Sequence, residues 1–170
     1  MPRIAEARYR ATDPNRDTSR AMSRENVELA RRGYTAFRAL LERATAGEDI
    51  SDAPEWEAWD SDVVIVEIAD YPDSDTYRGH EGMRRWLQGW LDAFDEMSVE
   101  PLEFIPAGDF VVVPTHQRFR SKAGLDVEQH ITQVLRFRDG KVVYATGYRD
   151  KSKALEAVGL SEQDTHAQSS

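Results

Sequence analysis

No cysteine occurs in the 170 residues, which excludes disulfides, thiolate catalysis and Cys-ligated metal. Long apolar runs are missing too. None approaches the roughly 18 residues of a membrane span, and no hydrophobic region of signal-peptide type stands near the start, so the expected location is the cytoplasm. Basic charge is in deficit, with 22 Lys and Arg against 31 Asp and Glu and a formal net charge of −9. That balance lacks the electrostatic footprint of a nucleic-acid binder, and nucleic acid is discounted as a partner. Neither a phosphate loop nor a nucleophile elbow is found, which leaves nucleotide hydrolysis and serine-type acyl transfer without support. No internal repeat or low-complexity tract interrupts the chain.

The length suits one domain with a substantial core. Residues 1–22 carry Arg3, Arg8, Arg10, Arg16 and Arg20 with few large apolar side chains, and are expected to be a disordered basic arm. Residues 23–160 then form the folded domain, and 161–170 a disordered tail. Ser23 is the expected N-cap of a helix over 24–45, whose stripe is Val27, Ala30, Tyr34, Phe37, Leu41 and Ala44. Met22, just before it, is an alternative translation start. Pro54 opens a short helix carrying Trp56 and Trp59, residues 62–68 read as a β-branched strand, and residues 71–79 are turn-rich. Met83, Trp86, Leu87, Trp90 and Phe94 mark a second long helix. Four antiparallel strands follow from Val99, then a terminal helix over 152–158 closed by Gly159 at C′. The plan is α+β, with about three helices gathered on one face of a curved antiparallel sheet and a cone-like interior between them.

Two hairpins fix registers within that sheet. The Asp139-Gly140 pair sets Phe137 opposite Val142, Leu135 opposite Tyr144, Gln133 opposite Thr146 and Ile131 opposite Tyr148, all on one face. A five-residue loop over 121–125 sets Phe119 against Val127, Gln117 against Gln129, Thr115 against Ile131, Val113 against Gln133 and Val111 against Leu135. The opposite face then pairs Arg120 with Asp126, Arg118 with Glu128 and His116 with His130, as cross-strand charges should pair. A one-residue slip would scramble both patterns. On the buried face Gln117, Gln129, Gln133, Thr115, Tyr144, Thr146 and Tyr148 all need partners, because an unmatched polar group out of water costs ~1–3 kcal/mol. They bond one another, or they line a pocket for a small apolar organic ligand. Trp56, Trp59 and Trp86 are core residues or a wall of that pocket. Asp150 either sits at its mouth or caps the terminal helix.

Several segments, in order, carry a resemblance: Met22-Ser23-Arg24-Glu25-Asn26-Val27-Glu28-Leu29, Tyr77-Arg78-Gly79-His80-Glu81-Gly82, Phe137-Arg138-Asp139-Gly140-Lys141-Val142-Val143 and Ala154-Leu155-Glu156-Ala157-Val158-Gly159-Leu160. Together they resemble the SnoaL-like branch of the NTF2-like superfamily, over about residues 22–160. The resemblance implies an NTF2-like cone, pairing of two chains through the sheet into a homodimer, and a choice of functions that includes polyketide cyclase, ketosteroid isomerase, dehydratase, epoxide hydrolase and non-catalytic association module. In the isomerases of this superfamily a carboxylate base works with a tyrosine and a protonated aspartate. The matching positions here are Glu67 for the base, Tyr34 for the tyrosine and Gln133 for the second donor. Glu in place of the base and Gln in place of the acid depart from that pattern and argue against steroid isomerisation itself.

Glu67 and Gln133 are reached from the residues as well. Gln133 falls on the buried face by register, and Val63, Ile65 and Glu67 share a strand face, so an inward face would desolvate a carboxylate and shift it toward the range of a general base. The sequence reading is a binder of an apolar organic molecule, with cofactor-free acid-base catalysis by Glu67, Tyr34 and Gln133 as one outcome. A non-catalytic ligand-binding or dimeric association module is the other. No cofactor and no metal are expected. His116 and His130 lie on the charged face with no third ligand converging.

Overall fold

The structure, a computed structural model, describes residues 14–163. Helix α1 (Pro14–Thr45) is followed by a single 3-10 turn (Pro54–Ala58), strands β1 (Trp59–Val66) and β2 (Thr76–Arg78), and helix α2 (Gly79–Ala93). Strands β3 (Phe94–Pro101), β4 (Ile105–Ala107), β5 (Phe110–Ser121), β6 (Asp126–Arg138) and β7 (Lys141–Tyr148) lead to helix α3 (Lys151–Ala157). The strands form one seven-stranded sheet in the order β2-β1-β7-β6-β5-β3, with β4 paired to β5.

One face of the sheet packs on α1 and α2. Val63, Ile65, Val111, Val113 and Phe137 meet Ala30, Leu40, Leu41, Met83 and Leu87 in a closed core. Full burial of each large aliphatic side chain there is worth ~1.5–3 kcal/mol. The other face carries Val112 and Val134 against Ala154 and Leu155 of α3. Alternation along the strands separates the two sets, so Val111 and Val113 face α1 while Val112 faces α3.

The β5–β6 register is the expected one throughout, from Arg120 beside Asp126 to Val111 beside Leu135. The β6–β7 register is not. Phe137 stands opposite Val142, but a bulge follows, and Arg136 then pairs with Tyr144, Leu135 with Ala145, Gln133 with Gly147 and Thr132 with Tyr148. One extra residue reverses the faces of β7 beyond it. Tyr144, Thr146 and Tyr148 therefore share the face of Arg136, Val134 and Thr132 instead of the face of Gln133.

Other differences are local. The first helix starts at Pro14, so Ser23 lies inside it and is not its cap, and residues 14–22 are helical instead of an arm. Pro at a first helical position costs nothing, since its missing N–H would have no partner there. Residues 1–13 and 164–170 lie outside the described residues. Trp59 opens β1 instead of continuing the short helix, Phe94 begins β3 instead of ending α2, and β1 runs parallel to β7, making the sheet mixed. The third helix packs on the face away from α1 and α2, because its apolar pair Ala154 and Leu155 covers Val112 and Val134. It ends as expected: Gly159 has φ +80, and Leu160 N–H donates to Leu155 O at 2.8 Å.

Candidate functional site

Between α1, α2, the 3-10 turn and the inner face of β1, β6 and β7 lies a cavity of about 370 Å³. Its wall is mostly apolar: Leu29, Phe37, Ile65, Met83, Leu135 and Ala145 all contribute. That size and lining fall in the usual range of a small-molecule site, ~300–1,000 Å³. Phe37 stacks on Trp86 with ring centroids 6.1 Å apart and meets Trp59 edge-on at 6.3 Å. An aromatic wall of this kind suits a flat apolar ligand.

Three polar side chains foreseen from the sequence come together here. Tyr34 on α1 and Gln133 on β6 line the cavity, and the Tyr34 hydroxyl donates to Gln133 Oε1. Burial of that hydroxyl pushes its pKa well above the ordinary 10.0, so it remains a neutral donor at any working pH. Gln133 Nε2 has no protein partner among the described residues. The bulge puts Gly147 beside Gln133, and its missing side chain lets Ile131 and the Glu67 backbone close in there.

Glu67 follows the end of β1 and lines the same cavity. It is half-buried, and its carboxylate has neither a hydrogen bond nor an ion pair among the described residues. Its backbone is held on both sides. Glu67 N–H donates to Asp75 O at 3.0 Å, and a Cβ on Gly147 would stand 3.3 Å from Glu67 O. Tyr77, paired with Ile65 on β2, has its pKa raised by burial first and then by the negative charges of Glu67 and Asp75, which places a second phenol in the electrostatic field of Glu67.

The other expected ligand-binding residues divide. Trp59 and Trp86 line the cavity, while Trp56 is buried in the core with its indole N–H donating to Ile50 O at 2.6 Å. Gln117 and Gln129 do not line it. Gln129 Nε2 donates to Gln117 Oε1 at 3.0 Å, Gln117 Nε2 donates to Thr115 Oγ1 at 3.1 Å, and Thr115 Oγ1 donates to Ile131 O at 2.7 Å. These polar groups satisfy one another in a chain. Tyr144 and Tyr148 are turned to the far face by the bulge, and Tyr148 packs in the α3 cluster, where burial raises its pKa. Thr146 borders the cavity, but its register partner is Val134 and its hydroxyl is buried without a partner among the described residues. Asp150 caps α3, accepting from Ser152 N at 2.9 Å.

Sequence reasoning missed Glu55, Arg32 and Gly147, which also line the cavity. Glu55 stands among other acids and Arg32 among other arginines, so neither differs in the sequence from a solvated neighbour. Gly147 had a signal: an isolated glycine within a strand marks a close approach or an irregularity. On the far face His116 and His130 stack at 4.9 Å, and His116 Nε2 lies 2.5 Å from Glu128 Oε1. Among the described residues no group of three His, Asp or Glu is placed to hold a metal ion, and no helix is long and apolar enough to cross a membrane.

A family model described as a SnoaL-like domain matches residues 37–145. No curated protein matches the chain at a significant level. Among solved structures, TerC co-crystallised with polyporic acid superposes with a TM-score of 0.59 at 25% identity, over 79% of this chain and 98% of that one. An NTF2-like protein of unknown function from Burkholderia pseudomallei K96243 gives 0.59 at 23% identity, over 80% of this chain and 98% of that one. A protein from Mycobacterium tuberculosis in complex with estradiol-17beta-hemisuccinate gives 0.53 at 18% identity, over 68% and 88%. The last two establish the fold and no more.

Proposed function

The chain belongs to the SnoaL-like family, and from that premise we propose that its cavity binds an apolar organic molecule by an oxygen and acts on it by acid-base chemistry without a cofactor. One observation carries the reading: Tyr34, hydrogen-bonded to Gln133, shares a largely apolar cavity with an unpaired, half-buried Glu67. The free Gln133 amide hydrogens supply donor capacity for a substrate oxygen that gains negative charge, and the neutral Tyr34 phenol, donating to Gln133 Oε1, orients that amide. Glu67 takes a proton from a neighbouring carbon. Isomerisation, cyclisation and dehydration all begin with that pair of roles, and opening of an epoxide replaces the carbon acid with water. That TerC was co-crystallised with polyporic acid supports an organic ligand for this cavity.

The test is proton exchange at the methyl group of 4-acetylbiphenyl in D2O, followed by NMR. The wild-type protein should accelerate exchange, and Glu67→Gln should lose about 100-fold or more of that acceleration. Tight binding of the ketone with no acceleration by the wild type would sink the catalytic half. It would favour a ligand-binding module, a reading supported by the Tyr34 hydroxyl being already committed to Gln133.

A further inference from the structure

One half-buried titratable group beside the cavity takes no part in the acid-base roles of Glu67, Tyr34 and Gln133: Tyr77 of β2. It stands opposite Ile65. The next pair on that face is Glu67 with Asp75, since Val66 pairs with Thr76 and the Glu67 N–H donates to Asp75 O at 3.0 Å. Ile65, Glu67, Asp75 and Tyr77 therefore project from the same face of the two strands. On that face Tyr77 is the diagonal neighbour of Glu67, a separation of ~7–8 Å that a phenol and a glutamate side chain span between them.

The root of the Tyr77 side chain is held. It packs against the inner core, and the first turn of α2 closes on it: a Cβ on Gly82 would stand 3.3 Å from Tyr77 Cβ and 3.2 Å from its carbonyl carbon. Its hydroxyl has no hydrogen bond among the described residues, and neither has the carboxylate of Glu67. Burial raises the phenol above its ordinary 10.0, and the charges of Glu67 and Asp75 raise it further with Arg85 opposing them, so it stays a donor. Asp75, opposite Glu67, is exposed and carries the same charge. It repels the Glu67 carboxylate and offers it no proton. A base that no bond holds samples several rotamers, and transfer waits for the aligned one.

We propose that Tyr77 is a positioning residue for Glu67: with a ligand in the cavity its hydroxyl donates to one carboxylate oxygen and fixes the other toward the ligand's acidic carbon. No proton passes through Tyr77 itself. Tyr77 is not among the residues that line the cavity, so it governs the rate through Glu67 and leaves ligand affinity alone. Catalytic hydrogen bonds that stand open in an empty site commonly tighten in the complex. The inference rests on Glu67 being the base, as proposed above.

The experiment follows methyl exchange of 4-acetylbiphenyl in D2O at limiting and saturating ketone, with the full chain as wild type, Tyr77→Phe, Glu67→Asp and the double variant. Phe keeps the ring in place, and Asp keeps a base but withdraws its carboxylate from Tyr77 by one methylene. Tyr77→Phe should lower the saturated rate about tenfold, the effect of one lost hydrogen bond to a charged group, with the half-saturating ketone concentration unchanged. In the Glu67→Asp background the same substitution should change the rate less than about twofold. A merely structural Tyr77 would lose the same factor in both backgrounds, and that result would overturn the inference. A wild-type rate in Tyr77→Phe would overturn it too, while leaving Glu67 as the base. No acceleration by the wild type would overturn the acid-base reading and this inference together.

Discussion

Cutting the bond between Tyr34 and Gln133 measures how wet the cavity is, and the structure sets the size of the effect. Tyr34→Phe removes one hydroxyl and leaves Gln133 Oε1 without its donor. In a dry core the orphaned oxygen would bear its full desolvation penalty, ~1–3 kcal/mol and toward the upper end of that range. Here both residues border about 370 Å³ of open space. That is room for several waters, each of which occupies ~30 Å³ in the liquid. Water then replaces the phenol, and the expected loss is only the net value of an ordinary hydrogen bond, ~1 kcal/mol. Gln133→Leu should cost no more, since it removes the amide and adds apolar surface. The double variant should show a coupling of ~0.5–1 kcal/mol, because neither side chain then has anything left to lose from the other. Urea unfolding of the four proteins supplies the numbers. A loss above ~3 kcal/mol for either single variant would mean a dry structural bond, and the cavity would not be an open binding site. Additive single effects would mean that the bond is not made.

Gly147→Ala places a methyl group 2.8 Å from Ile131 Cγ2 and 3.3 Å from Glu67 O. It should destabilise the protein by ~1–3 kcal/mol in urea unfolding and lower activity more than Gly33→Ala, at which a Cβ meets nothing within 4 Å. Asp150 caps α3, and its bonds from Ser152 hold its carboxyl below the ordinary 3.8. A depressed folded-state value means stability that is present above about pH 4 and lost as pH falls through the lower folded value. Thermal unfolding from pH 5 to pH 2 should therefore fall more steeply in the wild type than in Asp150→Asn. The resemblance implies pairing of two chains through the sheet, and we propose the far face of β5 and β6, with its His116 and His130 stack, as the surface that pairs. Light scattering at neutral pH should give twice the chain mass, and a single-chain mass would remove the proposal.

The β5–β6 hairpin was readable because loop length, alternation of apolar residues and the charge pairs Arg120–Asp126 and Arg118–Glu128 all demand one register. Both hairpins placed Gln133 on the buried face, and of its two expected partners Val113 is found while Thr146 is replaced by Gly147. In β6–β7 only the turn argued for a register, and it governed just the first pairs, Arg138 with Lys141 and Phe137 with Val142. Beyond them the alternation in β7 is ambiguous, since Tyr144, Thr146 and Tyr148 resemble a half-buried face as well as Ala145 and Gly147 do. A bulge was the better fit: it turns the apolar Ala145 to the inner face and sets Gly147 beside Gln133. The start of α1 was illegible for a different reason. Ser23 is as good a cap as a sequence can show, but a serine inside a helix costs only a few tenths of a kcal/mol, roughly, and Arg20, Ala21 and Met22 just before it are helix formers. Glu55 reaches the cavity because the 3-10 turn lies against α1 at Arg43, a contact that no local pattern encodes.

The most direct measurement is the side-chain amide resonance of Gln133 in a 15N-labelled sample titrated with 4-acetylbiphenyl. The account expects a saturable downfield shift of its free amide proton as it meets the ketone oxygen, together with smaller changes at Tyr34 and Glu67. A ketone that binds while the Gln133 amide stays unmoved, with the changes gathered instead near Gln117 and Gln129, would contradict it.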